Sequence, residues 1–344
     1  MSKPPKEPKG EKGLTVVEAN RPTLALAADL ASRVAPNVER YLLRGLEGSD
    51  NTRLAYSADL RSYEAYCELH QLAPWPAALE TLASYVANLA DVGRKLATIN
   101  RHLAAIEKNH QLLGLPSAIN APALDVLRKG VAREIGKKQK QAPAFSVPHL
   151  KRTIDRLDLS RPDGLRARAL LLLGFAGAFR RSELVDINLE HLEMVHDATD
   201  EVLVITLPKS KANQAGEVEQ KIIFYGENPA YCPIGAYNAW IAQLGDRTEG
   251  PLFVSLKRSR PGEPGKPTDK RLADRRVNLL VKEHLGAKYS AHSLRVSFIT
   301  TSKLAGQSND FIKNQTKQKT DAMISRYTRL DDIIKYNAGR SLGL

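Results

Sequence analysis

The sequence predicts a mainly α-helical protein that carries a small β-sheet in its C-terminal half. Apolar residues recur at spacings of three and four through most of the chain, which is the period of an amphipathic helix. Two segments depart from that period, EVLVITLP and KIIFY, and a polar, glycine-containing connection joins them as in a β-hairpin. With 344 residues the chain is long enough for two domains that each bury a core.

The N-terminal part is predicted to be a short tail followed by helices. Residues 1–22 are rich in Lys, Pro and Gly at their start and lack an apolar run, which is typical of a disordered basic tail and not of a signal peptide. Residues 23–136 are predicted to form a helical domain. Its helical segments are RPTLALAADLASRVAPNVERYLL, NTRLAYSADLRSYEAYCELH, LETLASYVANLADVG, KLATINRHLAAIEKNHQLLG and PALDVLRKGVAREIG. Ser49, Asp50 and Asn51 are natural N-caps for the second of these.

Residues 137–144 are predicted to be an extended linker, because lysines, glutamines and a proline interrupt the apolar period. Residues 145–344 are predicted to form a mixed domain in which the hairpin is inserted among helices. The helical segments are SVPHLKRTIDRL and LRARALLLLGFAGAFRRSELVDI before the hairpin, then CPIGAYNAWIAQLG, DKRLADRRVNLLVKEHLG, SLRVSFITTSKLAG, NDFIKNQ and TDAMISRYTRLDDIIKYN. The apolar stretch 169–179 is interpreted as a buried helix, because a bilayer span needs about 20 residues.

Composition indicates a polyanion as the partner. The chain has 51 Lys and Arg against 38 Asp and Glu, a formal charge of +13. Its two cysteines, Cys67 and Cys232, have no CxxC spacing, so neither a disulfide framework nor a zinc site is predicted and a reducing cytoplasm is expected. A P-loop for nucleotide binding is not found in the sequence either.

Two arginines of the C-terminal half are candidates for binding a phosphodiester that is under attack. Planar guanidinium groups match the non-bridging oxygens of a phosphate, on which negative charge grows. Arg180 in FRRSEL follows the buried apolar segment, and Glu183 at i+3 lies on the same helical face and could hold its guanidinium. Arg295 in AHSLR is the second candidate. Arg181 is interpreted as a solvated neighbour.

Three further residue types complete a set for cutting DNA. His292 precedes Arg295 by three residues, so the two side chains share a helix face. Lys211 in the hairpin connection could protonate a leaving 5′ oxygen, with Lys209 as the competing choice. Tyr327 in ISRYTR would be the nucleophile, because nearby cations favour the phenolate of a group whose reference pKa is about 10.

Together these residues resemble the tyrosine recombinase (phage integrase) family, in the simple Cre and Xer form. FRRSEL, the SK of KSKANQ, HSLR and RYTR match its Arg, Lys, His-x-x-Arg and Tyr motifs in chain order. The resemblance implies a SAM-like helical core-binding domain, a mixed α+β catalytic domain and a 3′-phosphotyrosyl intermediate. It also implies no metal or nucleotide cofactor.

One position departs from the family pattern. Members usually have His or Trp nine residues before the nucleophile, and here that residue is Gln318. A glutamine side chain can still donate a hydrogen bond to a phosphate oxygen. We therefore expect Gln318 to belong to the catalytic set, in an enzyme that is slower or more dependent on partners.

The resemblance also implies how the protein meets DNA. The partner is double-stranded DNA with an inverted-repeat site, bound by a tetramer on two sites, in the cytoplasm and on the bacterial nucleoid. The implied major-groove helices are residues 51–70 and 95–113. The expected DNA contacts are Thr52, Arg53, Thr98 and Arg101 in the first domain and Arg271, Arg275 and Arg276 in the second. The apolar stripe of LDDIIKY, residues 330–336, is expected to dock in trans on a neighbouring protomer, with packing on its own domain as the alternative.

Other functions stay open at this point. A DNA-binding or architectural protein could keep the fold and lose the chemistry, and the departure at Gln318 leaves room for that. A hairpin telomere resolvase or a type IB topoisomerase would use similar chemistry. A metal-dependent transposase is disfavoured, because no carboxylate triad stands out and a tyrosine nucleophile needs no metal.

Overall fold

The computed structural model describes residues 50–136, 141–196, 201–207, 218–257, 260 and 263–325. The chain divides into two compact units between residues 139 and 140, and each is described by itself. The predicted tail, the first predicted helix and part of the predicted linker lie outside the described residues, so the boundaries 1–22, 23–136 and 137–144 stay predictions. No helix among the described residues is long and apolar enough to span a bilayer.

The described part of the first unit consists of four helices. They are α1 Asp50–Leu69, α2 Leu79–Asp91, α3 Leu96–Leu113 and α4 Pro122–Glu134. Each has one apolar face, as the sequence spacing predicts, and these faces meet in one core that includes Leu82, Val86, Ile99 and Ile106. The four helices match the predicted segments within one or two residues.

An aromatic cluster fills one end of this core. Tyr63 packs edge-on against Trp75 and Tyr85, with ring centroids 5.4 and 5.1 Å apart. His110 is fully buried beside Trp75, and its Nε2 accepts the backbone N–H of Ala77 at 3.0 Å. Burial lowers the pKa of His110. The imidazole is therefore a neutral core side chain, which suits its place among rings.

A buried carboxylate joins α1 to α3. Asp59 is 3% exposed, and it receives two hydrogen bonds from Arg101, at 2.7 Å from Nε and 2.9 Å from Nη2. The Nε2 of His102 lies 3.2 Å from the same carboxylate, while its Nδ1 is 2.9 Å from the hydroxyl of Tyr85. These contacts satisfy a charge that would otherwise be costly to bury.

The second unit alternates helices with two small antiparallel sheets. Its helices are α5 Val147–Asp155, α6 Pro162–Ala176, α7 Arg181–Asp186, α8 Pro233–Ile241, α9 Asp274–Leu285, α10 Ala291–Leu304, α11 Asn309–Thr316 and α12 Asp321–Ser325. Its strands are β1 Leu192–His196, β2 Glu201–Leu207, β3 Glu219–Phe224, β4 Val254–Lys257 and β5 Lys266–Arg271. The first sheet has the order β1-β2-β3, and β4 pairs with β5. The pairing of β2 with β3 confirms the predicted hairpin strands.

Helix α6 is the centre of the second unit. Its leucines Leu170, Leu171 and Leu173 are fully buried, and every residue from 166 to 174 is buried, so this part of the helix is enclosed on every side, as the sequence predicts for the apolar stretch. A Cβ at Gly174 would lie 2.8 Å from a side-chain carbon of Leu294, so glycine lets α10 approach α6 closely. This contact places α10, which carries the HSLR motif, beside the end of α6.

The predicted single helix through LRARALLLLGFAGAFRRSELVDI is wrong in its middle, because the chain turns between α6 and α7. A Cβ at Gly177 would lie 2.1 Å from the ring of Phe179, which folds back over the turn. Ala178 has φ 46°, a left-handed conformation that an alanine adopts only at a cost in free energy. The break leaves Arg180 as the N-cap residue of α7.

Other predicted boundaries also need correction. The segment DKRLADRR was predicted to be helical from its start, but residues 269–271 belong to β5, whose pairing with β4 outweighs their helix propensity. Strand β1 was not predicted, because its exposed edge position leaves little apolar alternation. Helix α10 begins at Ala291 with Ser290 as its N-cap, and Ser293 accepts the Ser290 N–H from inside the first turn.

We expect Asp59→Asn to destabilise the first unit by about 1–3 kcal/mol, because the variant loses a charge-assisted bidentate pair and leaves a buried polar group poorly matched. The control is Asp125→Asn, which removes an exposed pair with Lys129 at 2.7 Å and should change the stability far less, because solvent screens such a pair. Hydrogen exchange of the backbone amides in α1, α2 and α3 measures the loss of stability in both variants. Equal losses in the two variants would contradict the assigned role of Asp59.

Candidate active site

The turn between α6 and α7 presents Arg180 at the start of a short helix. Its backbone N–H donates to Oε2 of Glu183 at 2.9 Å, and its guanidinium Nη1 donates to Oε1 of the same carboxylate. Glu183 is 4% exposed, whereas the Arg180 side chain remains partly exposed at 22%. The predicted i, i+3 pair therefore forms, and a buried carboxylate orients a cation that still reaches the surface.

Glu183 is ionised in this setting. Burial alone would raise the pKa of Glu183, but the positive charges of Lys221 and Arg180 and the hydrogen bonds from Arg180 outweigh burial and lower it. The carboxylate is thus shared between two cations. Lys221 lies on its far side, with Nζ 3.8 Å from Oε2.

Arg295 lies in the second turn of α10 and is almost wholly buried, at 1% exposure. Its Nη1 donates to the carbonyl oxygen of Ala178 at 2.8 Å, and its Nη2 donates to that of Thr316. Arg295 thereby joins the turn that carries Arg180 to the end of α11.

His292 lies one turn before Arg295 on α10 and reaches the surface. The surrounding protein removes water from part of the ring and lowers the pKa of His292, and the positive charges of Arg295 and Arg180 lower it further. The charges of both arginines therefore act on one imidazole. The convergence of His292 and Arg295 on one phosphate, which their spacing predicts, stays a prediction.

Gln318 follows α11 directly after Lys317, which has φ 54° and ends the helix in the left-handed conformation. The Gln318 side chain is 7% exposed, and its Oε1 is buried without a hydrogen-bond partner among the described residues. The predicted role, a hydrogen bond from this amide to a phosphate oxygen, stays a prediction.

The other predicted members of the catalytic set lie outside the described residues. These are Lys211 and its competitor Lys209, in the connection between β2 and β3, and Tyr327, beyond the end of α12 at Ser325. The stripe of residues 330–336 is outside as well. Their roles therefore stay predictions.

Lys221 was missed by the sequence reasoning although it is a buried charge beside this group. It lies on β3 and its side chain is fully buried, with Nζ 2.7 Å from the carbonyl oxygen of Gly177 and 2.9 Å from that of Gln315. Burial lowers the pKa of Lys221 to about 7, while Glu183 opposes that shift. A signal existed, because strand alternation places Lys221 on the same inward face as the buried Ile223.

The predicted DNA contacts of the second unit lie on β5 and at the start of α9. Arg271 donates to the carbonyl oxygen of Val185 and to Asn188, so it also holds the end of α7. Arg275 and Arg276 are exposed on α9, and Arg276 lies 3.6 Å from Glu283. All three stay predictions as DNA contacts.

The predicted DNA contacts of the first unit lie on α1 and α3. Arg53 is exposed, and Thr52 and Thr98 are half-buried. Arg101 is exposed over 48% of its side chain although Asp59 holds its guanidinium. A guanidinium fixed in this way can be presented to a phosphate or a base edge in one orientation. The DNA contacts of these four residues stay predictions.

The described residues contain no group of three or more His, Cys, Asp or Glu side chains that could hold a metal ion. The expectation of a reaction without a cofactor rests on the tyrosine nucleophile.

Comparison with known proteins identifies the family. Residues 39–114 match the phage integrase N-terminal SAM-like domain. Over 319 residues the chain is 34% identical to an integrase/recombinase XerD homolog of Selenomonas ruminantium, a match that covers 88% of this chain and 89% of that relative.

Two solved structures share the fold. The XerH site-specific recombinase in a post-cleavage complex with palindromic difH substrate has a TM-score of 0.59 at 12% identity, covering 94% of this chain and 89% of that one. The Tn1549 transposon integrase in complex with circular intermediate DNA has a TM-score of 0.51 at 14% identity, covering 91% and 98%. With a relative this similar along most of its length, the chain belongs to the tyrosine recombinase (phage integrase) family.

Proposed function

We propose that this recombinase cuts and rejoins DNA at a specific site through a 3′-phosphotyrosyl link to Tyr327. The observation that carries the proposal is that Arg295 binds the carbonyl oxygen of Ala178, in the turn that presents Arg180, while the charges of both arginines act on His292. Three basic side chains in one region suit a single phosphodiester, whose attack places negative charge on the non-bridging oxygens.

The roles follow from the setting of each residue. Arg180 reaches the surface and is oriented by Glu183, so it binds the phosphate directly. Two backbone carbonyls accept hydrogen bonds from Arg295 and fix the orientation of its guanidinium, which we propose contacts the same phosphate. Lys211 protonates the leaving 5′ oxygen, and Gln318 donates to a phosphate oxygen.

His292 begins the reaction as a neutral imidazole. Its lowered pKa keeps the imidazole neutral near pH 7 in the free protein. A neutral imidazole can donate one hydrogen bond to the phosphate and accept a proton, which suits a residue beside the attacking phenol. The negative charge of a bound phosphate would favour its protonation.

The proposed partner is double-stranded DNA with an inverted-repeat site, bound by a tetramer across two sites. Two of the similar solved structures are complexes with DNA, one of them with a palindromic site. The net charge of +13 supports a DNA partner by supplying cations for many phosphates. We place the protein in the cytoplasm, associated with the nucleoid.

A second candidate is a DNA-binding protein of the same fold with impaired cleavage. It is favoured by Gln318, a buried glutamine where the family has His or Trp, whose Oε1 has no hydrogen-bond partner among the residues that the structure describes. Sequencing DNA that is trapped covalently on the protein in cells tests both candidates. Recovered adducts at one site support the recombinase, and their absence alongside site-specific binding supports the second candidate.

We expect Tyr327→Phe to abolish covalent attachment to DNA and to leave site binding within about twofold, because one hydroxyl contributes little to an affinity built from many phosphate contacts. The measurement uses a nicked suicide substrate followed by denaturing electrophoresis. A persistent adduct in the variant would show that another residue is the nucleophile.

We expect Arg180→Lys and Arg295→Lys to slow cleavage by about 10²- to 10³-fold, because a lysine cannot reproduce contacts that strengthen as charge develops. Binding to the site should weaken far less. Single-turnover cleavage and a gel-shift titration compare the two effects. Arg181→Lys is the control, since Arg181 pairs with Asp274 at 2.7 Å outside the proposed set. If binding and cleavage fall equally, the arginines are anchors only.

We expect site binding to tighten as the pH falls below about 6.5, the ordinary pKa of histidine. The free protein holds His292 below that value and a bound phosphate raises it, so binding takes up a proton between the two pKa values. The effect of one proton is limited to about tenfold in Kd per pH unit. His292→Gln should flatten this part of the profile, measured by fluorescence anisotropy at pH 5.5, 6.5 and 7.5. An unchanged profile would remove His292 from the phosphate.

A further inference from the structure

Three consecutive backbone carbonyls run from the last residue of α6 into the turn that follows it. A side chain from elsewhere in the second unit donates a hydrogen bond to each of them. Gln315 Nε2 donates to the carbonyl of Ala176 at 2.9 Å, and Lys221 Nζ donates to that of Gly177 at 2.7 Å. Arg295 Nη1 donates to that of Ala178 at 2.8 Å. Carbonyls at the end of a helix lack partners within it, so side chains that bind them fix the geometry of the turn.

Two of these side chains also hold the end of α11. Lys221 Nζ donates to the carbonyl of Gln315 at 2.9 Å, while Arg295 donates to that of Thr316. Each cation therefore bridges the α6–α7 turn and the C-terminus of α11, where the helix dipole favours positive charge. After α11 the chain continues through Gln318 and α12 toward Tyr327.

Lys221 also lies close to the carboxylate that orients Arg180. Its Nζ lies 3.8 Å from Glu183, and it lies 4.8 Å from the centre of the Phe179 ring. The charged groups that face it are Glu183, Arg295, Arg180 and Lys317. The Lys221 ammonium thus contacts the α6–α7 turn, the carboxylate of Glu183 and the end of α11.

We propose that Lys221 is a positioning residue for the cleavage reaction. Through Glu183 and the carbonyls of the α6–α7 turn it fixes the position of Arg180, and it holds the end of α11 at a fixed place relative to that turn. It touches no substrate in this role, since its side chain is fully buried. The proposal rests on the proposed function, because it assigns a second layer of support to the same site. A group displaced by about 1 Å can slow catalysis by about 10²-fold.

The first test is Lys221→Met, which keeps a long unbranched side chain and removes the charge. We expect cleavage of a nicked duplex that carries the site recovered from cells to slow by about 10²-fold, and binding to the same duplex to change by threefold or less. Hydrogen exchange should rise at residues 177–183 and 315–325. Unchanged cleavage per folded molecule would overturn the proposal.

Arg168→Met is the matched control. Arg168 is also a buried cation that binds backbone carbonyls in the same unit, those of Pro229 and Ala230 at 2.8 and 3.0 Å, but it does not contact the turn. Its loss should lower stability and leave cleavage per folded molecule within about twofold. If both variants slow cleavage equally, the effect is a general loss of packing and the proposal fails.

A double variant keeps the test valid if Lys221→Met does not fold. Removing Lys221 alone leaves Glu183 with one cation, whereas Lys221→Met combined with Glu183→Gln removes the buried pair as a unit. If the two residues act together, the double variant should cleave no more than tenfold more slowly than Glu183→Gln alone. A larger loss beyond Glu183→Gln would overturn the proposal.

Failure of the proposed function is distinguishable from failure of this inference. If the wild-type protein forms no covalent adduct with any DNA, the proposed function is wrong and the inference falls with it. If the wild type cleaves and Lys221→Met cleaves equally well, only the inference is wrong.

Discussion

The structure of the second unit depends on a group of buried positive charges that bind the backbone at the end of α6. The turn there holds an alanine with φ 46° and a glycine covered by a phenylalanine ring, so it is strained and needs support from its surroundings. Lys221 and Arg295 supply that support through carbonyl hydrogen bonds. Their positive charges are tolerated inside because Glu183 and several carbonyl dipoles surround them.

These contacts connect the buried core of the second unit to the surface where Arg180 is exposed. The leucines of α6 anchor the helix, and the turn at its end presents Arg180 with a partly exposed guanidinium. Helix α10 approaches α6 at Gly174 and presents His292 beside the same place. The groups that we propose bind phosphate therefore stand on elements whose positions are fixed by packing, which favours precise stabilisation of developing charge.

The first unit also contains a buried carboxylate that is bound by basic side chains. Asp59 is buried between α1 and α3, and Arg101 and His102 both contact it. Arg101 is half-exposed, and two hydrogen bonds fix the orientation of its guanidinium. It lies on α3, which is one of the two helices expected to contact DNA. In both units a buried carboxylate orients an arginine that reaches the surface.

The sequence by itself determined the helical class, the hairpin strands and the pairs Arg180–Glu183 and His292–Arg295, because these follow from periodicity and from spacing along one helix. Only the tertiary structure decided that the helix through residue 178 breaks, that residues 269–271 form a strand, and that Lys221 binds the turn. Each of these depends on contacts between residues far apart in sequence: Phe179 over Gly177, β4 against β5, and Lys221 against Gln315, 94 positions away. Local propensity carries no information about such contacts, since partners distant in the chain supply their free energy.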